Sequence, residues 1–204
     1  MGISEMFFKG GPVMYALLAC SLAAAAIAAE RLSVYRRAAS KENELGSGLI
    51  SLLQHGETDT LMKSTSAASV IAVSGAQAAK DGLSVQLAVD TSYSGLAMEL
   101  RARLNYLSMI VTLAPLLGLL GTISGMISSF NVFSLAADQP LAITGGIGEA
   151  LIATAFGLCV AILALVLHTV LAQKLDRLLA EMDRAAAITG SVLDERNGGG
   201  HHAS

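Results

Sequence analysis

Two apolar runs constrain this chain more than anything else in it. One extends from Leu107 to Phe133 and contains the string APLLGLLGTISGM; the other extends from Ile147 to Ala172, with GIGEALIATAFGL at its start. About 20 helical residues cross the ~30 Å hydrocarbon core of a bilayer, so each run is long enough to span it. Neither run is uniformly apolar. The first carries Thr122 in a glycine-rich stripe, and the second carries the acid Glu149 and a second threonine, Thr154. Polar groups at membrane depth are costly and usually face a bundle interior or an ion path.

Composition fits a membrane protein. Hydrophobic residues make up 53% of the 204 and charged residues 14%, and the mean hydropathy is +0.61. The net charge of −3 comes with no basic stripe that could follow phosphates, so no nucleic-acid partner is expected. Cys20 and Cys159 each sit inside an apolar run, without disulfide or metal spacing, and read as inert buried thiols.

A third apolar run lies at about Pro12 to Ala29. Leu17-Leu18-Ala19-Cys20 resembles a lipoprotein cleavage site, but the residues before the run hold Glu5 as well as Lys9, and the run continues nine residues past Cys20. It therefore reads as a retained transmembrane helix rather than a cleaved leader.

Orientation follows from lysine and arginine near the helix ends. Arg31, Arg36, Arg37 and Lys41 follow the first run, Arg101 and Arg103 precede the second, and Lys174, Arg177 and Arg184 follow the third. The connection from Phe130 to Gly146 has neither residue type, only Asp138. The expected solution is three spans with a periplasmic N-terminus and a cytoplasmic C-terminus. The fold class is an all-α integral membrane protein whose second and third helices extend into the cytoplasm. The expected division is a periplasmic N-terminus and first span over 1–37, a cytoplasmic helical segment over 38–103, a second span over 104–133, a periplasmic loop over 134–146, a third span with its cytoplasmic extension over 147–187, and a flexible tail over 188–204.

The cytoplasmic segment is rich in Ala, Leu, Gln and Glu and lacks proline, which predicts helices. Breaks are expected at Gly46 to Gly48, at His55-Gly56 and around Asp81-Gly82. Beyond Gly82 the series Leu83, Leu87, Ala97, Leu100, Leu104 runs toward the membrane without a stop. From the end of the third run onward, Leu171, Leu175, Leu178, Leu179 and Met182 form an apolar stripe beside Asp176, Arg177 and Glu181. His201 and His202 read as an uninformative terminus, not a metal site.

At 100° per residue, Gly118, Gly121, Thr122, Gly125 and Ser129 fall within an arc of ~100°. On the third span Gly146, Ala150, Ala153, Thr154, Gly157, Ala161 and Ala164 form a similar stripe, with Glu149 at its edge and His168 at one end. Small-residue stripes let a second backbone approach closely, in an oligomer or against a partner. A plainer reading stands beside this one. Membrane threonines often bond back to their own helix, Glu149 can interact with the N-terminal dipole of its helix, and His168 can be interfacial. GLLGTISG is not a phosphate loop, since no Lys-Ser/Thr follows the glycines and no strand precedes them. No catalytic constellation is present, so an enzyme is not expected.

Ala114-Pro115-Leu116-Leu117-Gly118-Leu119-Leu120-Gly121-Thr122 resembles a signature of the MotA/TolQ/ExbB proton-channel family, closest to its ExbB and TolQ branch. Gly148-Glu149-Ala150-Leu151 with Ala153-Thr154-Ala155-Phe156-Gly157-Leu158 resembles that family's second signature. The resemblance implies a bacterial inner-membrane subunit of an ion-driven motor. It implies a homo-pentamer around a pair of single-span partner helices of the ExbD, TolR or MotB type, whose membrane aspartate binds the ion, with no cofactor. It implies that Thr122, Thr154 and Glu149 contribute to the ion pathway, and that Gly118, Gly121, Gly125, Ala150 and Gly157 give the partner room. Tyr15, Leu17, Leu18 and Ile27 of the first span would then face lipid. The chain departs from the family at Leu163, where relatives carry a proline, and at His168-Thr169, where they carry tyrosine and asparagine. The rival expectation is a membrane scaffold or assembly subunit that binds a partner and conducts nothing.

Overall fold

The computed structural model describes residues 11–39, 47–55, 61, 66–135 and 140–198. The described residues with regular structure are helical: α1 (Val13–Ala38), α2 (Ser47–His55), α3 (Ala67–Lys80), α4 (Val85–Ala102), α5 (Leu104–Leu135) and α6 (Pro140–Gly198). Three stretches of helix are long and apolar enough to cross a membrane, Val13–Ala38, Val85–Phe130 and Gly146–Glu195. The chain is an all-α integral membrane protein. It divides into two units, Met1–Ala29 with Leu104–Val170, and Glu30–Arg103 with Leu171–Ser204.

The first unit is packed with small residues inside and large ones outside. Ala24, Ala28, Ala114, Ala150, Ala153, Ala161 and Ala164 are buried, whereas Leu116, Leu151, Ile162 and Val166 are each more than half exposed. A water-soluble unit would not leave such a surface bare. In a bilayer the order is reasonable, because lipid tails solvate leucine as well as another leucine does, and helix contact is won by close backbone approach. One residue departs from expectation. Tyr15 and Leu18 are exposed as predicted for an outer helix, but Leu17 is fully buried with Met14 in the unit's own core. The two lie one helical turn apart, on the face of α1 that turns inward.

In the second unit, α3 and α4 form a helical hairpin. Ser66 caps α3 by accepting from the Ser69 amide, and Ser84 caps α4 by accepting from the Leu87 amide. Between them Gly82 has φ +68°, and the Leu83 amide returns to the Ala78 carbonyl at 2.9 Å. This closure needs a left-handed residue just past the helix, a conformation that glycine enters without strain. The hairpin core holds Ile71, Ala72, Ala76, Val85 and Val89. Leu83 and Leu87 of the expected apolar series are instead 65% and 68% exposed. At the start of the hairpin's second helix the buried positions are Val85 and Val89, two residues along, while Ala97, Leu100 and Leu104 of the series are buried as expected. The expected stripe on α6 is buried at Leu171, Leu175, Leu178, Leu179 and Met182.

Several boundaries differ from expectation. α4 and α5 are interrupted at Arg103, which caps α4. α5 runs on to Leu135 and α6 begins at Pro140, inside the loop expected over 134–146; residues 136–139 lie outside the described residues. Proline suits the first turn of a helix, where its missing N–H costs nothing, and the glycines that follow had masked that start. The expected flexible tail over 188–204 is helical through Gly198. Its Ile188-Thr189-Gly190 has poor helix propensity, but Thr189 and Leu193 are buried and the Thr189 hydroxyl donates to the Ala185 carbonyl. Packing overrides propensity there. His201 and His202 lie outside the described residues.

Candidate functional site

Within the first unit the two small-residue stripes meet each other. A methyl group placed on Gly157 would lie 2.8 Å from the Ala114 carbonyl oxygen and 2.9 Å from the Gly118 Cα. One placed on Gly118 would lie 3.1 Å from the Thr154 Cα, and one on Gly125 would lie 2.9 Å from the Ala150 Cβ. The opposing atoms at Gly118 and Gly157 are backbone, which cannot swing aside. Gly118, Gly121, Gly125, Ala150 and Gly157 therefore line a contact between α5 and α6 of one chain. Their close contacts within this chain are with its own helices.

The two threonines have different settings: Thr154 reaches across this contact and Thr122 bonds within its own helix. Thr154 Oγ1 donates across to the Gly118 carbonyl at 2.9 Å. Thr122 Oγ1 donates to the Leu119 carbonyl of its own helix at 2.7 Å. Each hydroxyl keeps lone pairs with which to accept from water or from a protonated group. Glu149 lies on α6, nine residues after its start at Pro140 and next to Ala150; its side chain lies outside the described residues. That position is more than two turns from the helix start, beyond the reach of the N-terminal dipole. α6 also passes unbroken through Leu163 and Thr169, whose hydroxyl donates to the Leu165 carbonyl.

Beside the glycine row a cleft of about 140 Å³ opens between Pro12, Val13, Gly121, Ser124, Gly125 and Ser128. Ser129 closes its hydroxyl on the Gly125 carbonyl, but Ser124 and Ser128 are exposed. A polar opening of this kind accepts water. Sequence reasoning missed it, because the cleft forms only when the start of α1 meets α5, and two serines in an apolar run carry no signal of that meeting. Among the described residues no group of three or more His, Cys, Asp or Glu could hold a metal ion.

The second unit holds a polar cluster that sequence reasoning read only as flanking charge. Arg31 is buried on α1; its Nη1 donates to the Glu99 carbonyl at 3.4 Å and its Nη2 lies 3.5 Å from Glu30 Oε1. Glu30 also pairs with Arg103 at the break between α4 and α5. The buried Tyr35 donates its hydroxyl to the Leu100 carbonyl at 3.0 Å. These contacts fix the end of α1 to the α4 backbone just before the Arg103 break. The available signal was the spacing of Arg31 and Tyr35, one turn apart on one face.

The sequence profile of the MotA/TolQ/ExbB proton channel family matches residues 54–184. The chain is 31% identical over 199 residues to the Putative biopolymer transport protein ExbB-like 1 of Synechocystis sp., covering 93% of this chain and 77% of that protein. It is 32% identical over 174 residues to the ExbB-like 3 protein of the same organism, covering 79% and 80%. The Biopolymer transport protein ExbB of Salmonella typhimurium is 37% identical over 84 residues, which are 41% of this chain and 34% of that protein.

Proposed function

Because the chain belongs to the MotA/TolQ/ExbB proton channel family, we propose that it is an ExbB/TolQ-type membrane subunit that couples an ion gradient, of protons, to mechanical work at the cell envelope. In this reading five copies form a ring in the bacterial inner membrane, with N-termini periplasmic and C-termini cytoplasmic. The ring surrounds a pair of single-span helices of the ExbD, TolR or MotB type. The partner's membrane aspartate carries the proton, and the ring supplies the path along which it is exchanged. The work done is the energising of transport, of envelope maintenance or of motility.

The observation that supports this most is the placement of Thr154 on the contact between α5 and α6, with Thr122 one residue past the contact glycine Gly121 and Glu149 on α6 a little more than one turn before Thr154. Two hydroxyls stand in runs of glycine, alanine and leucine, and the sequence sets an acid at position 149 of the second run. Hydroxyls both donate and accept, so they can pass a proton along a hydrated seam. The cleft at Ser124 and Ser128 offers water next to that seam.

A second reading, the non-conducting scaffold, draws on the same hydrogen bonds. Both threonine hydroxyls are engaged with backbone carbonyls, as purely structural threonines are. Proton uptake into liposomes separates the two readings. The purified chain reconstituted with its single-span partner is expected to admit protons, and to admit few without it. Equal, background-level uptake in both preparations, from a complex shown to be assembled, would leave the scaffold.

A further inference from the structure

We propose that the second unit holds a binding site for the headgroup of an anionic phospholipid. The site is a cleft of about 170 Å³ lined by Tyr35, Arg36, Lys174, Arg177, Leu178 and Glu181. Three cations face one carboxylate there. Among the described residues Arg36, Lys174 and Arg177 make no salt bridge, and Glu181 is the one acid lining the cleft with them. Arg177 and Glu181 stand four apart on α6, the spacing at which opposite charges on a helix ordinarily pair, yet no ion pair joins them. The floor is apolar, with Leu178 buried and the ring of Tyr35 held by its hydroxyl bond to Leu100.

The depth of the cleft identifies its ligand. The apolar run of α1 ends at Ala29 and that of α6 at Ala172. At ~1.5 Å per residue, Arg36 lies about 10 Å beyond the first end, while Lys174 and Arg177 lie about 3 and 8 Å beyond the second. The headgroup layer occupies roughly the 5–8 Å outside the hydrocarbon core on each side, and the long stems of Lys and Arg let their charges settle within it. Basic pockets between membrane helices at this level recognise acidic headgroups. A free phosphate shares the charge chemistry, and it is the depth of the cleft at the headgroup layer that favours the lipid. The inference rests on the membrane spans and not on ion conduction, so it survives if the proposed coupling fails.

Native mass spectrometry of the full chain in detergent, titrated with phosphatidylglycerol or phosphatidylcholine, tests it. Phosphatidylglycerol is expected to bind at least tenfold more tightly. The variants R36Q, K174Q and R177Q are each expected to lose about fivefold, and E181Q is expected to gain. R37Q, which removes an adjacent exposed arginine outside the cleft, is expected to bind as the wild type does. E181Q retains every cation, so it reports on the site even if the cation variants fold poorly. Equal affinity for the two lipids would overturn the proposal. So would a loss in R37Q equal to that in R36Q, which would mean diffuse surface charge. Displacement of phosphatidylglycerol by an equal concentration of inorganic phosphate would reassign the cleft to a soluble anion.

Discussion

The hydroxyl of Thr154 on α6 donates to the carbonyl oxygen of Gly118 on α5, a hydrogen bond 2.9 Å long between residues 36 apart in the chain. The bond can form because Gly118 and Gly157 bring the two backbones together. The same glycine spacing that lets the helices pack thus sets a polar group at their interface, so the residue proposed for the ion pathway also holds the two helices together.

The two threonines should therefore respond differently to valine, which keeps the shape and removes the hydroxyl. Thr154→Val breaks an interhelical bond and is expected to cost ~0.6 to 1.7 kcal/mol. Thr122→Val removes only a bond within its own helix and should cost less. Thermal melting of the purified variants measures this difference. Gradient-driven activity with the partner present should fall in both. Activity at the wild-type level in the double variant would make both hydroxyls structural.

Gly157 should tolerate no side chain. An added methyl would stand 2.8 Å from the Ala114 carbonyl oxygen and 2.9 Å from the Gly118 Cα. Overpacking costs ~1–3 kcal/mol, while alanine regains up to ~1 kcal/mol of helix propensity. Gly157→Ala should come out about 1–2 kcal/mol less stable. Gly148→Ala, whose methyl would meet nothing within 4 Å, should not. Similar losses in both would argue against the close approach of α5 and α6.

A compensating pair is available in the second unit. A methyl on Gly75 would stand 2.5 Å from the Thr189 Cγ2 and 3.0 Å from the Val89 Cγ2. Gly75→Ala should destabilise by about 1–2 kcal/mol after its gain in propensity. Thr189→Ser alone loses one buried methyl, about 1 kcal/mol. Combined with Gly75→Ala it should restore stability, because serine lacks the colliding methyl and keeps a hydroxyl able to reach the Ala185 carbonyl. The two effects must therefore be strongly non-additive. Simple addition in chemical unfolding would mean that Gly75 and Thr189 do not touch.

The three spans were legible in the sequence because length and hydropathy alone define them, and the α6 stripe from Leu171 to Met182 because its period is helical. The mutual docking of the glycine stripes was not. A stripe announces close approach but not which backbone approaches, and here α6 of the same chain fills the space next to Gly118. Ala97, Leu100 and Leu104 of the expected series are buried, but its first members, Leu83 and Leu87, are exposed in favour of Val85 and Val89. Only the hairpin closed at Gly82 decides which pair faces inward. The Arg31–Glu30–Arg103 cluster was hidden for a different reason. Arg103 lies 73 residues from Glu30, and the two arginines already had an explanation as flanking charges.

Glu149 carries the sharpest test of the proposed function. It lies nine residues into α6, more than two turns from the helix start, so the exposed amides of the first turn are not its neighbours. An attraction to the helix dipole, which fades beyond the first turn, gives little reason for an acid at this place. A role in proton exchange gives one, since a carboxyl group can take up and release a proton where a glutamine of the same size cannot. Glu149→Gln should therefore leave the complex assembled, as judged by the mass of the detergent-extracted protein with its partner, while gradient-driven proton uptake falls at least tenfold. Glu149→Asp, which keeps the exchangeable proton on a shorter arm, should retain part of the uptake. If the Gln variant assembles and conducts as well as the wild type, Glu149 is not in the pathway. If neither variant assembles, the carboxyl group serves the contact with the partner, and Thr122 and Thr154 are left to carry the path.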